Sequence, residues 1–496
     1  MPNSSLSSAT VAGTKRFFEK LKSTTQPHFS LPPAKLGRTG FMVSRIGFGG
    51  YRVHEHDPDH RDSLKSAILA GVNLIDTSFN YTDGSSERMI GQTLLDMFNE
   101  GSVKRDELVI VTKAGFIQGA IHTEAKKMKE RGELWNDVIE LPNDIWHSIS
   151  PDFLTYSITQ SLERLKVETI DVLLIHNPEV FFKASRRNIE ERKLFLSRMQ
   201  AAFKHLESEV ARGRIKYYGV SSNGFPEPEN QSTHVPLKKL FETARLAAGG
   251  DEHHFAVVQF PFNLFEANPA LFPQQEGEIL LDVAKKLELG VLTNRPLNSL
   301  REGRVVRLGP FREHDPVFIK GELHAALGRA IELERDHPFK PKEAPQGLKW
   351  AHELREPLGE LSDVLSWRDF ALTRIYPSIR LALGRVPAEA QGWRAQYETA
   401  IAKFLDLVTA DLECLANSRA RLLVENIDSI EPKLQSQAEK SLSARVVSAY
   451  VGLPQIHSVL VGLRKSEYVT DLREIKAALT EAETRNLLTK MQRHKS

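Results

Sequence analysis

From residue 45 to residue 479 the chain alternates short β-branched runs with helix-periodic segments eight times, and this alternation limits the fold more than any other feature. Strands are predicted at 45–50, 73–78, 108–114, 170–175, 217–221, 256–261, 291–296 and 458–462. Helices are predicted at 59–69, 86–98, from 151, in a long stretch ending at Gly213, and at 237–248, 278–289, 439–451 and 467–479. Ser150-Pro151 is a start signal, an N-cap serine with proline in the first turn. Ile170-Asp-Val-Leu-Leu-Ile175 is almost continuously apolar, as a parallel strand buried on both faces should be. Strands separated by helices imply parallel βαβ units with right-handed crossovers. Eight such units close into an α/β fold, a (β/α)8 TIM barrel, with a large helical insertion after the seventh strand.

The organisation read from this pattern is an N-terminal arm at 1–34, seven barrel units at 35–298, a helical insertion at 299–434, and the last units with a C-terminal helix at 435–496. The arm is Ser-, Thr- and Lys-rich and lacks the apolar core of a secretory signal. It is expected to pack loosely, with an organellar targeting segment as the alternative. A second insertion, at 116–149, separates the third strand from its helix and carries Trp135 and Trp146. In the large insertion, Leu323, Leu327, Ile331 and Leu333, and then Ala400, Phe404, Leu407 and Leu412, recur at helical spacing. Both insertions follow barrel strands, so both leave from the C-terminal face, where barrel active sites lie, and both are expected to roof the site.

The 496 residues carry 66 Lys and Arg against 64 Asp and Glu, a formal net charge of +2. No strong field draws such a chain to nucleic acid or acidic lipid. No apolar run reaches the roughly 20 residues that span a bilayer. Cys414 is the single cysteine, which excludes an intrachain disulfide scaffold and a cysteine-based zinc ribbon. A cytoplasmic protein with a small-molecule substrate, no nucleic acid and no membrane is expected; the composition does not give the oligomeric state.

The sharpest chemical signal is polar and lies at the ends of consecutive strands. The second strand ends in Asp76, with Tyr81 five residues on; the third ends in Lys113, the fourth in His176. A charge near a barrel axis is costly unless paired, and Asp76 and Lys113 can pair. A free phenol has a pKa near 10. The Lys113 cation is expected to lower that of Tyr81, making the phenol an acid or base beside a site of hydride transfer, with His176 orienting a carbonyl oxygen or sharing the proton. His54-Glu-His56-Asp-Pro-Asp-His60 reads as a polar loop before a helix, and no metal is expected. A divalent-ion site and a contact to a polar substrate are the other readings.

At these residues the sequence resembles the aldo-keto reductase superfamily. The matching pieces are Leu36-Gly-Arg-Thr-Gly40, Asp76-Thr-Ser-Phe-Asn-Tyr81, Ser86-Glu87, Thr112-Lys113, Ile170 to Pro178, Gly219-Val-Ser-Ser222, Val258-Gln259, Pro296-Leu297 and Val459-Leu-Val-Gly462. The resemblance implies a catalytic tetrad of Asp76, Tyr81, Lys113 and His176 with the tyrosine as acid, and NADP(H) bound without a Rossmann fold. It places Ser221, Ser222 or Asn223, and Gln259 around the nicotinamide carboxamide, Gly50 and Tyr51 near its ribose, and Arg464 and Lys465 at the 2′-phosphate. Asp76, Arg295, Leu297 and Gly462 complete the candidate cofactor contacts. The sequence departs from the family at Asn294, where an aromatic commonly stacks on the nicotinamide, and at Ser222 and Leu472. NAD(H) therefore stays open as the alternative cofactor. The expected activity is interconversion of a carbonyl, an aldehyde or ketone or a sugar-like polar substrate, with an alcohol. Two other readings are an NADP(H)-binding regulatory barrel that docks a partner, and a lyase or isomerase using Lys113 as a Schiff-base amine.

Overall fold

A computed structural model describes residues 8–142, 144–184, 189–301, 304–339, 345–437, 441–473, 475–476 and 479–493. It divides into two compact units, 1–297 with 433–496, and 298–432.

The first unit is a closed barrel of eight parallel strands, β1 (Ile46–Gly49), β2 (Leu74–Asp76), β3 (Val109–Ala114), β4 (Ile170–His176), β5 (Ile215–Ser221), β6 (Phe255–Pro261), β7 (Gly290–Asn294) and β8 (Ser458–Val461). The strands follow chain order round the barrel, and β8 closes on β1 through the pairs Val459–Ile46 and Val461–Phe48. Their helices are α1 (Pro58–Leu69), α2 (Ser85–Asn99), α3 (Pro151–Leu165), α4 (Ile189–Ala211), α5 (Leu237–Ala248), α6 (Leu280–Lys286), α7 (Leu442–Tyr450) and α8 (Ser466–Arg473). The strands are buried on both faces, and Leu74, Val109, Val111, Val172, Leu174 and Leu292 pack in one core cluster. One predicted helix starts later than expected. The predicted 278–289 helix opens instead as a strand, Glu278–Ile279, paired with Pro273–Gln275. Residues 439–440 and 474, 477 and 478, within the last two predicted helices, lie outside the described residues.

The expected loose arm is instead anchored. Its helix, Val11–Lys22, is capped by the Thr10 side chain, which accepts from Gly13 N at 2.8 Å. Arg16 pairs with Asp106 at 2.7 Å and Glu107 at 3.0 Å, and Lys216 Nζ donates to Ala9 O at 2.6 Å. Ala9 N donates to Asp171 Oδ1 at 2.7 Å near the start of β4. Basic residues in the last two turns and a small Gly13 against the Asp106 backbone, neither visible as periodicity, make this docking possible.

The second unit opens with a hairpin, Asn298–Arg301 paired with Arg304–Arg307, before its helices begin. Helices Pro316–Arg335 and Gln391–Ile430 pack around Leu323, Leu327, Leu333, Phe404, Leu407 and Leu412. A π-helical turn, Ala371–Ile375, precedes Pro377 in the next helix, which absorbs the backbone bond that proline cannot make. Glu334 is buried but satisfied, accepting from Ala351 N at 2.7 Å, His352 N at 2.8 Å and Tyr397 OH at 3.0 Å. Among the described residues no helix is long and apolar enough to cross a membrane.

Candidate active site

Strand register sets the heights of the polar residues. Ser221 pairs with His176 on one side and Gln259 on the other, so these three share one level. Lys113 is paired with Leu174, two residues before His176, and Asp76 with Val111, two residues before Lys113. Lys113 Nζ donates to Asp76 Oδ2 and to the Thr77 carbonyl, both at 2.7 Å, and stands 3.4 Å from the Tyr81 hydroxyl. Asp76 also accepts from Gln259 Nε2 at 2.8 Å, and Gln259 Oε1 accepts from Ser221 Oγ at 3.1 Å and Asn294 Nδ2 at 3.2 Å. A single hydrogen-bonded chain thus runs from Tyr81 through Lys113 and Asp76 to Gln259, Ser221 and Asn294.

Tyr81 is held in a strained turn. Thr82 and Asp83 are left-handed, with φ of 46° and 55°, and Gly84 follows at 79°. Such a conformation costs a β-branched residue about 1–3 kcal/mol and persists only where its surroundings enforce it. Here Thr82 Oγ1 donates to Val53 O at 2.5 Å, and the Asp83 carboxylate accepts from Ala120 N at 3.2 Å. The half-exposed Tyr81 ring meets Tyr51 edge-on at 5.2 Å and His176 at 6.0 Å.

The electrostatics differ from expectation at one point. Burial raises the Tyr81 phenol well above its ordinary value, and the Asp76 charge pushes the same way. Lys113 Nζ is shared between Asp76 and Thr77 O, both at 2.7 Å, and the phenol at 3.4 Å. Burial also raises the Asp76 carboxyl and lowers the Lys113 ammonium, with their attraction opposing both shifts. Burial and the Lys113 charge hold His176 well below 6.5, so its imidazole is neutral.

The 116–149 insertion reaches this site. It forms a three-stranded sheet, Phe116–Ile117, Ile145–His147 and Ile139–Leu141, with a helix Ala120–Glu130. Phe116 stands perpendicular to the His176 ring at 4.9 Å, and His147 Nε2 donates to His176 O at 2.7 Å. Asn80 Nδ2 donates to Gln118 Oε1 at 2.8 Å. His147 is buried, and burial lowers its pKa to about 4. Between pH 6.5 and 4 the unfolded chain protonates this imidazole and the folded one does not, so stability falls as pH falls through that window, by at most about 3 kcal/mol from this group. Thermal melts of the protein and of His147→Gln should converge as pH drops from 6.5 to 4; parallel curves would exclude the effect.

The candidate cofactor residues fall into three groups. Gly50 N donates to Asp76 O at 2.7 Å, and a Cβ at Gly50 would lie 2.8 Å from both Asp76 O and Ser86 Oγ, so the chain passes too close there for a side chain. Tyr51, beside it, is 60% exposed. Ser221 and Gln259 join the central chain, but Ser222 turns away: its hydroxyl donates to the buried Glu179 at 2.7 Å, and Asn223 N donates to the same carboxylate at 2.9 Å. Asn223 Oδ1 accepts from Arg295 at 3.4 Å, and Arg295 pairs with Glu266 at 2.9 Å. Leu297 is half-buried; Gly462 and Lys465 are exposed and, with Arg464, follow β8 beside β1. Leu472 is buried on α8. A carboxamide needs a donor and an acceptor, and the Asn294 Oδ1 beside Gln259 is buried without a partner, which fits such a group. His54 N donates to His60 Nδ1 at 3.0 Å and the His54 and His56 rings lie 5.0 Å apart; among the described residues no three His, Cys, Asp or Glu could hold a metal ion. Ser78, Asn80, His147 and Glu179 were not read as site residues from sequence. Ser78 and Asn80 lay inside the Asp76–Tyr81 motif, and Glu179 followed the His176 motif by one residue beyond Pro178.

The chain is similar to known proteins. One relative is an NADH-specific methylglyoxal reductase of Escherichia coli strain K12, 28% identical over 149 residues, 28% of this chain and 40% of that protein. Another is a 6-dehydroglucose reductase of Novosphingobium aromaticivorans, 28% identical over 203 residues, 39% of this chain and 52% of that protein. The chain thus spans about half the length, or less, of these two relatives. Among solved structures, a glycerol dehydrogenase of Gluconobacter oxydans is 18% identical, with a TM-score of 0.46, covering 93% of this chain and 95% of that one. The profile of the Aldo/keto reductase family matches residues 45–356, the stretch that holds Asp76, Tyr81, Lys113, His176 and Gln259. With more than half its length matched and its barrel closed round those five side chains, the chain belongs to the aldo/keto reductase family.

Proposed function

We propose that the protein is a nicotinamide-dependent oxidoreductase that interconverts a carbonyl with an alcohol, with Tyr81 as the proton donor or acceptor. The observation that carries this reading is Lys113 Nζ poised between the Asp76 carboxylate and the Tyr81 hydroxyl in a buried barrel mouth. The cofactor, when bound, supplies or accepts hydride at its nicotinamide C4. Ser221, Gln259, Asn294 and Asn223 would hold its carboxamide, Gly50 and Tyr51 would flank its ribose, and Arg464 and Lys465 would meet a 2′-phosphate. Tyr81, whose pKa is raised, stays a neutral phenol and gives its proton to the substrate oxygen as hydride arrives at carbon; in the other direction it takes that proton back. Lys113 stabilises the phenolate that is left, and Asp76 keeps the lysine charged and aimed. Small polar carbonyls are the substrate class named by the methylglyoxal and dehydroglucose reductases, and NADP(H) is the cofactor favoured by the basic pair after β8. A buried, unpaired Cys414 agrees with a cytoplasmic setting.

The test is titration with NADPH and, separately, NADH, read by quenching of tryptophan fluorescence. Binding of NADPH in the micromolar range, with NADH weaker, is expected, and Arg464→Ala should narrow the difference. Failure of both nucleotides to bind would remove the oxidoreductase reading.

A further inference from the structure

The loop that carries Tyr81 rests on one guanidinium. Arg164, in the last turn of α3, donates through Nη1 to the Phe79 carbonyl at 3.1 Å and to Glu87 Oε2 at 3.4 Å. Its Cζ lies 4.8 Å from the centre of the Phe79 ring. At the other end of the loop Gly84, with φ of 79°, passes so close that a Cβ would lie 2.6 Å from Nη1. One side chain from another element thus touches the residue two before Tyr81 and the residue three after it. Between those points Thr82 and Asp83 are left-handed, a conformation that the surroundings must enforce. Glu87, in the first turn of α2, is fully buried and joins the guanidinium to β3, its Oε1 accepting at 2.7 Å from Thr112 Oγ1, one residue before Lys113. Phe79 N donates to the Lys113 carbonyl at 3.0 Å. A planar guanidinium can serve two acceptors and lie against a ring at once, which an ammonium cannot. A buried ion pair is a costly way to pack two helices, since desolvation offsets the attraction.

We propose that Arg164 is a positioning residue for Tyr81: it clamps the 79–84 loop at both ends and, through Glu87 and Thr112, holds the phenol at its distance from Lys113. The kinetic half of this inference rests on the oxidoreductase reading above. Arg164 acts through the loop and not on the reacting atoms. Once the clamp is removed, the left-handed residues relax and the Tyr81 hydroxyl shifts. A displacement of about 1 Å costs about 10²-fold in rate, because proton transfer needs the acid at hydrogen-bonding distance as hydride moves. Nucleotide binding, which falls to other residues, is unaffected.

Two variants and two measurements test it. Arg164→Lys keeps the charge but cannot serve both acceptors and the ring. Arg164→Met combined with Glu87→Gln removes both charges together, so no buried charge is stranded and the chain is expected to fold. In NADPH-dependent reduction of a small aldehyde, kcat should fall about tenfold in the first and about 10²-fold in the second, with the KM for NADPH unchanged. In protein labelled with 3-fluorotyrosine, the Tyr81 19F resonance, identified by its loss in Tyr81→Phe, should shift or broaden in both variants. That of Tyr397, in the other compact unit and identified by Tyr397→Phe, should stay in place. A Tyr81 resonance that neither variant moves overturns the proposal. So does an unchanged kcat, or a KM for NADPH that rises in step with the fall in kcat. A lower melting temperature with rate and resonance unchanged makes Arg164 a structural residue only and overturns it too. If the unmodified protein turns over no aldehyde, the oxidoreductase reading fails alone, and the 19F resonance decides the positioning.

Discussion

Replacing Tyr81 by phenylalanine is expected to lower carbonyl reduction by about 10²–10⁴-fold, the usual contribution of a positioned general acid, with nucleotide affinity nearly unchanged. The substitution removes one oxygen and keeps the ring. The ring's neighbours are the Tyr51 edge at 5.2 Å, the His176 edge at 6.0 Å and the Lys113 ammonium, 4.9 Å from its centre, and none of these needs the hydroxyl. Lys113 loses only its longest contact, 3.4 Å, and keeps Asp76 and Thr77 O at 2.7 Å, so the ion pair survives. A stability change within about 1 kcal/mol is expected for one weak bond lost. Steady-state turnover of a small aldehyde with NADPH, beside a fluorescence titration of the same variant, separates the two effects. Turnover within a few-fold of the unmodified protein would take Tyr81 out of the chemistry. Equal loss of turnover and of nucleotide binding would make it a binding residue.

The barrel and the central residues were legible because their signals are local and repeated. Parallel strands buried on both faces must be apolar, so a polar residue at the end of one, such as Asp76, Lys113 or His176, stands out against its own strand. What was not legible depends on neighbours brought from far away in the chain. Lys113 in sequence is a cation that should lower a nearby phenol. In the fold it pairs with Asp76 and Thr77 O, and burial outweighs it at Tyr81. Ser222 matches a cofactor position, but Glu179, 43 residues earlier, claims its hydroxyl. His147 lies in an insertion with no periodicity to mark it, and only pairing of Phe116 with His147 brings it onto His176. Residues 8–22 gave no strand or barrel-helix signal, because what fixes them is charge and close approach at Asp106, Glu107 and Asp171 rather than an apolar stripe.

Asp171→Ala is expected to be the most destabilising single substitution outside the site, at about 3–5 kcal/mol, because it breaks a buried ion pair from one side. Asp171 and Arg105 are both fully buried and meet at 2.8 Å. The same carboxylate accepts from Ile110 N at 2.8 Å on β3 and from Ala9 N at 2.7 Å ahead of the N-terminal helix, so it ties two adjacent strands and the N-terminal segment together. Arg105 is held further by the Leu108 and Thr169 carbonyls, at 2.8 and 2.9 Å. Alanine would leave the guanidinium without its counter-charge and two backbone N–H groups without an acceptor, each a desolvation cost of about 1–3 kcal/mol in part relieved by movement or water. Asp171→Asn keeps the shape and one acceptor oxygen and should lose less. Pairing Asp171→Ala with Arg105→Met removes the stranded charge and should recover part of the loss, since replacing both partners of a buried pair is cheaper than removing one. Urea unfolding monitored by far-ultraviolet circular dichroism resolves these differences. A loss below about 1 kcal/mol would mean that the ion pair and the Ala9 and Ile110 bonds are dispensable, whereas a large loss with no recovery in the double variant would place the cost on the two N–H groups left without an acceptor rather than on the stranded guanidinium.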